Sequence, residues 1–146
     1  MSNTSLCVVC TVYQISNVIF EYLSNRLFIL GHYGCGGVLA SMSDKQHGLV
    51  DNWLRNIKDI HWNNQSLMNS VESEKQADLL VELNVKQQVY NISATSIVQG
   101  AWANGKKLKI HGLVYRLDTG KLKNLNVDVE GEQDLCNQIY KVKVSC

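Results

Sequence analysis

The feature that most constrains this chain is the stretch Leu27-Phe28-Ile29-Leu30-Gly31-His32-Tyr33-Gly34-Cys35-Gly36-Gly37-Val38. A short apolar run stops in a glycine-dense turn, after which small and apolar residues resume, a pattern that predicts a strand, a tight loop and a helix. Gly34, Gly36 and Gly37 let the backbone around Cys35 take positive-φ conformations and approach a bound group closely. The loop carries one imidazole and one thiol three positions apart, so the pattern directs His32 and Cys35 toward one point. Imidazole nitrogen and thiolate sulfur are the ligand types that suit zinc, a borderline-soft ion. A zinc site takes three or four protein ligands and this loop offers two, which amounts to half a metal site. On spacing alone, the other reading of His32, a hydrogen-bonded strand-end residue, stays open.

Downstream of the loop the apolar periodicity turns helical. Leu49, Val50, Trp53, Leu54, Ile57 and Ile60 fall on one side and Asp51, Arg55, Asn56 and Asp59 on the other, which predicts an amphipathic helix with Asp51 and Arg55 paired one turn apart. Ala77, Leu80, Val81, Val85 and Val89 make a second helical stripe from Ser73 to about Asn91, with Glu72, Glu74 and Asp78 placed to oppose the helix dipole. Asn91-Ile92-Ser93 reads as a break, Thr95 to Trp102 as a further helix, and Asn104-Gly105 as its stop. Leu108 to Leu117 reads as a strand, Asp118-Thr119-Gly120 as a turn, and Leu122 to Val129 as the returning arm of a hairpin. The tail from Glu132 through Leu135, Ile139 and Val142 has helical spacing. Strand, long helical connection and strand form a crossover unit with parallel strands, so the class is α/β. In such sheets the ligand site lies at the carboxyl end of the strands, where His32 and Cys35 fall.

A length of 146 residues predicts a single domain over 1–146. A net charge of +1 with 18% charged residues lacks the basic excess of a nucleic-acid binder. Lys106, Lys107, Lys109, Lys121 and Lys123 read as a solvated hairpin whose edge charges discourage sheet-to-sheet pairing. Five cysteines are an odd number, and the amino terminus lacks the basic and apolar regions of a secretory signal, so a reducing, cytoplasmic setting is expected. No apolar run is long enough to span a membrane. Residues 1–16 diverge in character from the rest. Leu6 to Val12 is β-prone, and its Cys7-Val-Val-Cys10 has two readings, a metal or redox pair or two small buried hydrophobes. Asn17 to Leu23 fits two helical turns capped by Ser16 or Asn17.

The segment Gly-His-Tyr-Gly-Cys-Gly-Gly-Val at residues 31–38, followed by His47-Gly48-Leu49-Val50-Asp51-Asn52-Trp53-Leu54, resembles the zinc-site loop and following helix of the β-class carbonic anhydrases. The similarity continues through Glu82-Leu83-Asn84-Val85, Gln88-Val89-Tyr90-Asn91, Thr95-Ser96-Ile97-Val98 and Ala101-Trp102. It reaches His111-Gly112-Leu113-Val114-Tyr115 and Asp118-Thr119-Gly120. It spans about residues 27 to 129, which corresponds to the carboxyl-terminal two-thirds of the family.

The resemblance implies a parallel β-sheet with an antiparallel edge strand and flanking helices, in a homodimer or higher oligomer. It also implies a zinc lyase that reversibly hydrates carbon dioxide to bicarbonate. His32 and Cys35 match two metal ligands. Gly36 matches a glycine whose backbone N–H lies by the substrate, and Tyr115 matches a tyrosine that lines a bicarbonate pocket in some members, its other reading being a strand aromatic in the core.

The departure from the family is at its first zinc cysteine, which opens a Cys-x-Asp-x-Arg motif. The residues two past Cys7, Cys10, Cys35 and Cys136 are Val9, Val12, Gly37 and Gln138, and Cys146 ends the sequence. The aspartate–arginine pair is therefore unmatched, and Cys7 or Cys10 is left as the nearby candidate for the third ligand. This reads as an amino-terminal truncation that would bare a hydrophobic sheet edge. Either Leu6 to Val12 serves as a substitute strand, or the chain is a truncated product, an alternative start or an incomplete gene assembly. Two functions follow as expectations: a carbonic anhydrase, or a non-catalytic homologue that partners a full-length paralogue.

Overall fold

A computed structural model describes residues 25–135 and residue 141. The expectations for Leu6 to Val12, for Cys7 and Cys10, for the capped turns at Asn17 to Leu23 and for Ile139 and Val142 lie outside the described residues. In chain order the elements are β1 (Arg26–His32), α1 (Gly36–Ser41), a 3-10 turn (Gly48–Val50), α2 (Asp51–Asn63), α3 (Gln65–Asn69), α4 (Ser73–Ser93), α5 (Ser96–Ala103), β2 (Lys109–Arg116), β3 (Lys121–Asn124) and a 3-10 turn (Glu132–Asp134). The described chain divides into two compact units, one of residues 30–87 and 113–125, the other of residues 25–29, 88–112 and 126–135.

The sheet order is β1-β2-β3. The Lys109 N–H donates to the Asn25 carbonyl at 2.9 Å and the Tyr33 N–H to the Tyr115 carbonyl at 3.1 Å, so residue numbers rise together along β1 and β2, as in a parallel pair. β3 runs antiparallel to β2, with Val114 opposite Lys123 and Tyr115 opposite Leu122. The fold is α/β, with a mixed sheet whose two parallel strands are joined through helices, as the sequence pattern requires.

In the unit of residues 30–87 and 113–125, α1 packs on α2, which buries Leu54, Ile57 and Ile60. Leu80, Val81 and Val85 of α4 are buried in the same unit, as are Tyr33 and Val114. Gly31 is where strand and helix come closest. A Cβ built there would stand 2.6 Å from Val85 Cγ2 and 3.4 Å from Val81 Cγ1, so only hydrogen fits. In the other unit, Val89, Ile92, Val98, Ala101, Leu108 and Ile110 form the core. Trp102 Nε1 donates to the Leu108 carbonyl at 2.9 Å and ties the end of α5 to the start of β2.

Four sequence expectations are corrected. Leu49 and Val50 do not extend the apolar face of α2; they sit in the 3-10 turn after Gly48, and Leu49 is 91% exposed. Asp51 accepts the His47 backbone N–H at 2.8 Å and so fastens that turn, rather than forming the expected one-turn pair with Arg55. α4 continues through Asn91-Ile92-Ser93 and ends at Ser93; two residues on, Thr95 Oγ1 donates to the Ile92 carbonyl at 2.7 Å and accepts the Val98 N–H at 3.4 Å, capping α5. β3 stops at Asn124 because Asn126 takes a positive φ of 53°; Val129 then rejoins the sheet by a single bridge to Ile110. β3 itself is exposed throughout, in keeping with a lysine-bearing edge.

The close approach at Gly31 sets a stability prediction. Gly31→Ala forces a methyl group into Val85 and lowers the unfolding free energy by about 1–3 kcal/mol, as overpacking does. Urea unfolding with an earlier midpoint at unchanged slope is the expected result, and an unchanged midpoint would contradict the packing described.

Candidate functional site

β1 ends at His32 and α1 begins at Gly36, and the three residues between them make the turn. Of the three glycines flanking Cys35, Gly34 alone has a positive φ, of 70°, which swings the chain from the strand into the helix; Gly36 and Gly37 are helical residues. The sequence expectation that all three supply positive φ is thus narrowed to one. Cys35 is the N-cap of α1 in extended conformation, with its carbonyl accepting the Leu39 N–H at 3.0 Å. Its thiol is free and half-buried, and a Cβ built on Gly37 would stand 3.9 Å from Sγ.

His32 Nδ1 lies 3.0 Å from the Tyr33 carbonyl oxygen. A carbonyl can only accept, so Nδ1 carries the hydrogen and the neutral ring presents its lone pair at Nε2. The turn therefore offers two donors of the kind zinc takes, an imidazole nitrogen and a sulfur. Among the described residues no group of three or more histidine, cysteine, aspartate or glutamate side chains is arranged to hold a metal ion. The donor set fits zinc as two ligands, and a third has to come from outside the described residues.

Gly36 is exposed, and among the described residues nothing beyond its chain neighbours and its own helix backbone lies within 4 Å of where a Cβ would stand, so that side is open to approach. Tyr115 is tied to the turn through its backbone, since its carbonyl accepts the Tyr33 N–H. Its hydroxyl lies toward the hairpin turn, 3.6 Å from the Cβ position of Gly120.

Sequence reasoning missed the group that holds this turn from behind. Tyr33, between the two donors, is buried, and its hydroxyl donates to Glu82 Oε1 of α4 at 2.5 Å. Lys123 Nζ of β3 reaches the same oxygen at 2.7 Å, and the Arg116 guanidinium of β2 stacks over the Tyr33 ring at 4.6 Å from its centroid. These four side chains border a cleft of about 680 Å³ that Leu79 and Thr119 also line. Burial pushes the Glu82 carboxyl up, but the hydrogen bonds from Lys123 and Tyr33 and the charges of Lys123 and Lys86 outweigh it, and the net shift is downward. The Tyr33 hydroxyl is held above its usual range by burial and by Glu82, and the Lys123 ammonium is raised by its bond to Glu82. The partners of Tyr33 stand 49 residues away at Glu82 and farther still on β3, so no local spacing announces them. In the other unit His111 is buried, donates Nδ1–H to Asp128 Oδ1 at 3.0 Å and stacks on Phe28.

A sequence profile described as carbonic anhydrase matches residues 8–122. A carbonic anhydrase of Emericella nidulans is 32% identical over 118 residues, covering 80% of this chain and 52% of that protein. One of Saccharomyces cerevisiae is 27% identical over 110 residues, covering 70% of this chain and 49% of that protein. Among solved structures, a Coccomyxa β-carbonic anhydrase in complex with acetazolamide superimposes with a TM-score of 0.77 at 31% identity, over 92% of this chain and 60% of that one. The β-carbonic anhydrase CafA of Aspergillus fumigatus gives 0.77 at 27% identity, over 86% and 60%. The chain thus spans about half the length of the curated relatives it matches.

The Glu82–Lys123 pair predicts a pH dependence. A carboxyl lowered on folding stabilises fully above its unfolded pKa and loses that contribution as pH falls through the folded value; a raised ammonium stabilises fully below its unfolded pKa and loses it as pH rises through the folded one. Glu82→Gln should therefore cost about 1 kcal/mol or less at neutral pH, Lys123 being half-exposed, and the difference from wild type should vanish below the usual carboxylate range. Paired urea titrations across pH check this, and a difference that persists undiminished in acid would contradict it.

Proposed function

Because the chain belongs to the β-class carbonic anhydrase family, we propose that it serves the reversible hydration of carbon dioxide to bicarbonate as part of a zinc lyase. The observation that carries this reading is the turn itself, where His32 Nε2 has no partner among the described residues and Cys35 keeps a free thiol, three residues apart around a single left-handed glycine. His32 and Cys35 would hold zinc, with a thiolate from Cys7, Cys10 or a second polypeptide as the third ligand. Bound zinc supplies the Lewis acidity that brings the ionisation of water down toward neutral pH.

The chain's own residues do the rest. Gly36, open on its outer side, offers a backbone N–H to an oxygen of carbon dioxide or bicarbonate. Tyr115 contributes through the strand that the turn is bonded to, as a wall of the bicarbonate pocket. The working form is a homodimer or higher oligomer, in which exposed apolar side chains such as Phe28 of one unit and Leu30 of the other, 54% and 53% exposed, would be covered. No helix among the described residues is long and apolar enough to cross a membrane, and an unpaired thiol at Cys35 suits a reducing, cytoplasmic setting.

A second reading is favoured by the two-donor set among the described residues: a homologue without turnover of its own that associates with a longer paralogue. The 146 residues contain no Cys-x-Asp-x-Arg motif to orient the reacting oxygen. Loss of one partner of a metal ligand typically costs about 10–100-fold, and here a ligand and a charged pair are both unmatched.

Stopped-flow hydration of carbon dioxide by the zinc-loaded chain separates the readings. We expect turnover at least about 100-fold below that of a complete β-class enzyme, restored by supplying the Cys-x-Asp-x-Arg segment and lost again with Cys35→Ser or His32→Ala. Restored turnover that is indifferent to Cys35→Ser would contradict the assignment, and no restoration at all would favour the non-catalytic partner. After dialysis the unsupplemented chain should retain much less than one zinc per chain, since two protein ligands hold the ion weakly; retention of one full equivalent would show that Cys7 or Cys10 completes the site.

A further inference from the structure

We infer that Tyr33, Glu82 and Lys123 act as positioning residues that fix the tautomer of His32. The inference rests on the reading of His32 as a zinc ligand and adds what makes that imidazole ready to bind. The chain of contacts is continuous within one unit. Lys123 Nζ bonds Glu82 Oε1 at 2.7 Å, the same oxygen accepts the Tyr33 hydroxyl at 2.5 Å, and the Tyr33 carbonyl accepts Nδ1–H of His32 at 3.0 Å.

Tyr33 is held at three further points. Its backbone N–H is bonded to Tyr115, its ring lies under the Arg116 guanidinium, and its side chain is buried. A side chain fixed at hydroxyl, ring and backbone N–H leaves its own carbonyl little freedom, so the acceptor facing His32 is set in place before any ligand arrives. His32, by contrast, is exposed, and water would otherwise compete for both ring nitrogens. Free neutral histidine favours the hydrogen on Nε2, the tautomer with the wrong nitrogen exposed for a ligand that must reach the ion through Nε2. The Tyr33 carbonyl reverses that preference. A hydrogen bond from the non-ligating nitrogen to a carbonyl or carboxylate is the general means by which metal-binding histidines are oriented. Here the carbonyl is itself held through a tyrosine hydroxyl by an acid and a lysine on two other elements.

The test reads the ring directly. Long-range nitrogen–proton correlation spectra of the metal-free full chain in mildly alkaline buffer should show His32 as the Nδ1–H tautomer; an Nε2–H ring would overturn the inference without any substitution. In Tyr33→Phe and Glu82→Gln the His32 signals should move toward the Nε2–H pattern, while Lys123→Arg, which keeps the cation, should retain the wild-type pattern. Zinc affinity measured by chelator competition should fall about 10-fold in the first two variants and stay near wild type in the third. Folded variants with unchanged tautomer and unchanged affinity would overturn the role given to Tyr33 and Glu82. If a variant fails to fold, the wild-type tautomer still decides. A chain that shows the Nδ1–H ring but takes up no zinc even when the Cys-x-Asp-x-Arg segment is supplied would sink the functional reading and leave the tautomer assignment standing.

Discussion

The site depends first on how closely α4 lies against β1 at Gly31. With no side chain there, Val85 and Val81 press onto the strand backbone at a distance that a methyl group would not permit. Residues three or four apart on a helix are neighbours on its surface, so seating Val85 on Gly31 brings Glu82 alongside. Two residues further along an extended chain the side chain returns to the same side, and that residue is Tyr33. The contact between its hydroxyl and Glu82 follows from the packing of glycine against valine. The hairpin then closes over the same point, delivering Lys123 to the carboxylate and Arg116 to the ring. Packing on one side of Tyr33 thereby becomes geometry on the other, where its carbonyl meets His32.

That arrangement divides the work of shaping the turn between two kinds of force. Burial and close packing hold the scaffold, in which Leu54, Ile57 and Ile60 of α2 and Leu80, Val81 and Val85 of α4 exclude water. Directional bonds hold the donors, one to the His32 ring and one that lets Cys35 end the turn as a helix cap. Neither donor is buried deeply, and among the described residues neither has a partner at the atom that a borderline-soft cation would take. A chain of the β-class carbonic anhydrase family that spans about half the length of its curated relatives retains in this segment the parts that are local in sequence.

Locality also explains what could be read from the residues alone. The strand, turn and helix around His32 and Cys35 were legible because glycine placement and apolar runs are signals within a dozen residues. The buried positions of α4 were legible for the same reason, as a helical stripe. Leu49 and Val50 misled because their apolar character matched the period of α2, while the positive φ of Gly48 had already turned the chain out of the helix. The end of β3 was missed because Asn126 takes a left-handed conformation that asparagine tolerates but does not demand. Glu82 and Lys123 were visible only as a helix carboxylate and an edge lysine. Their meeting at Tyr33 is a property of the crossover, which brings distant elements to one point, and it needed the structure.

The central claim is that this turn presents one imidazole and one thiolate to zinc. Zinc-edge X-ray absorption of the metal-loaded chain tests it most directly. The account predicts a first shell that contains sulfur at about 2.3 Å and imidazole nitrogen at about 2.0–2.1 Å, with the sulfur contribution reduced in Cys35→Ser. A shell of oxygen and nitrogen alone, unchanged by that substitution, would contradict it.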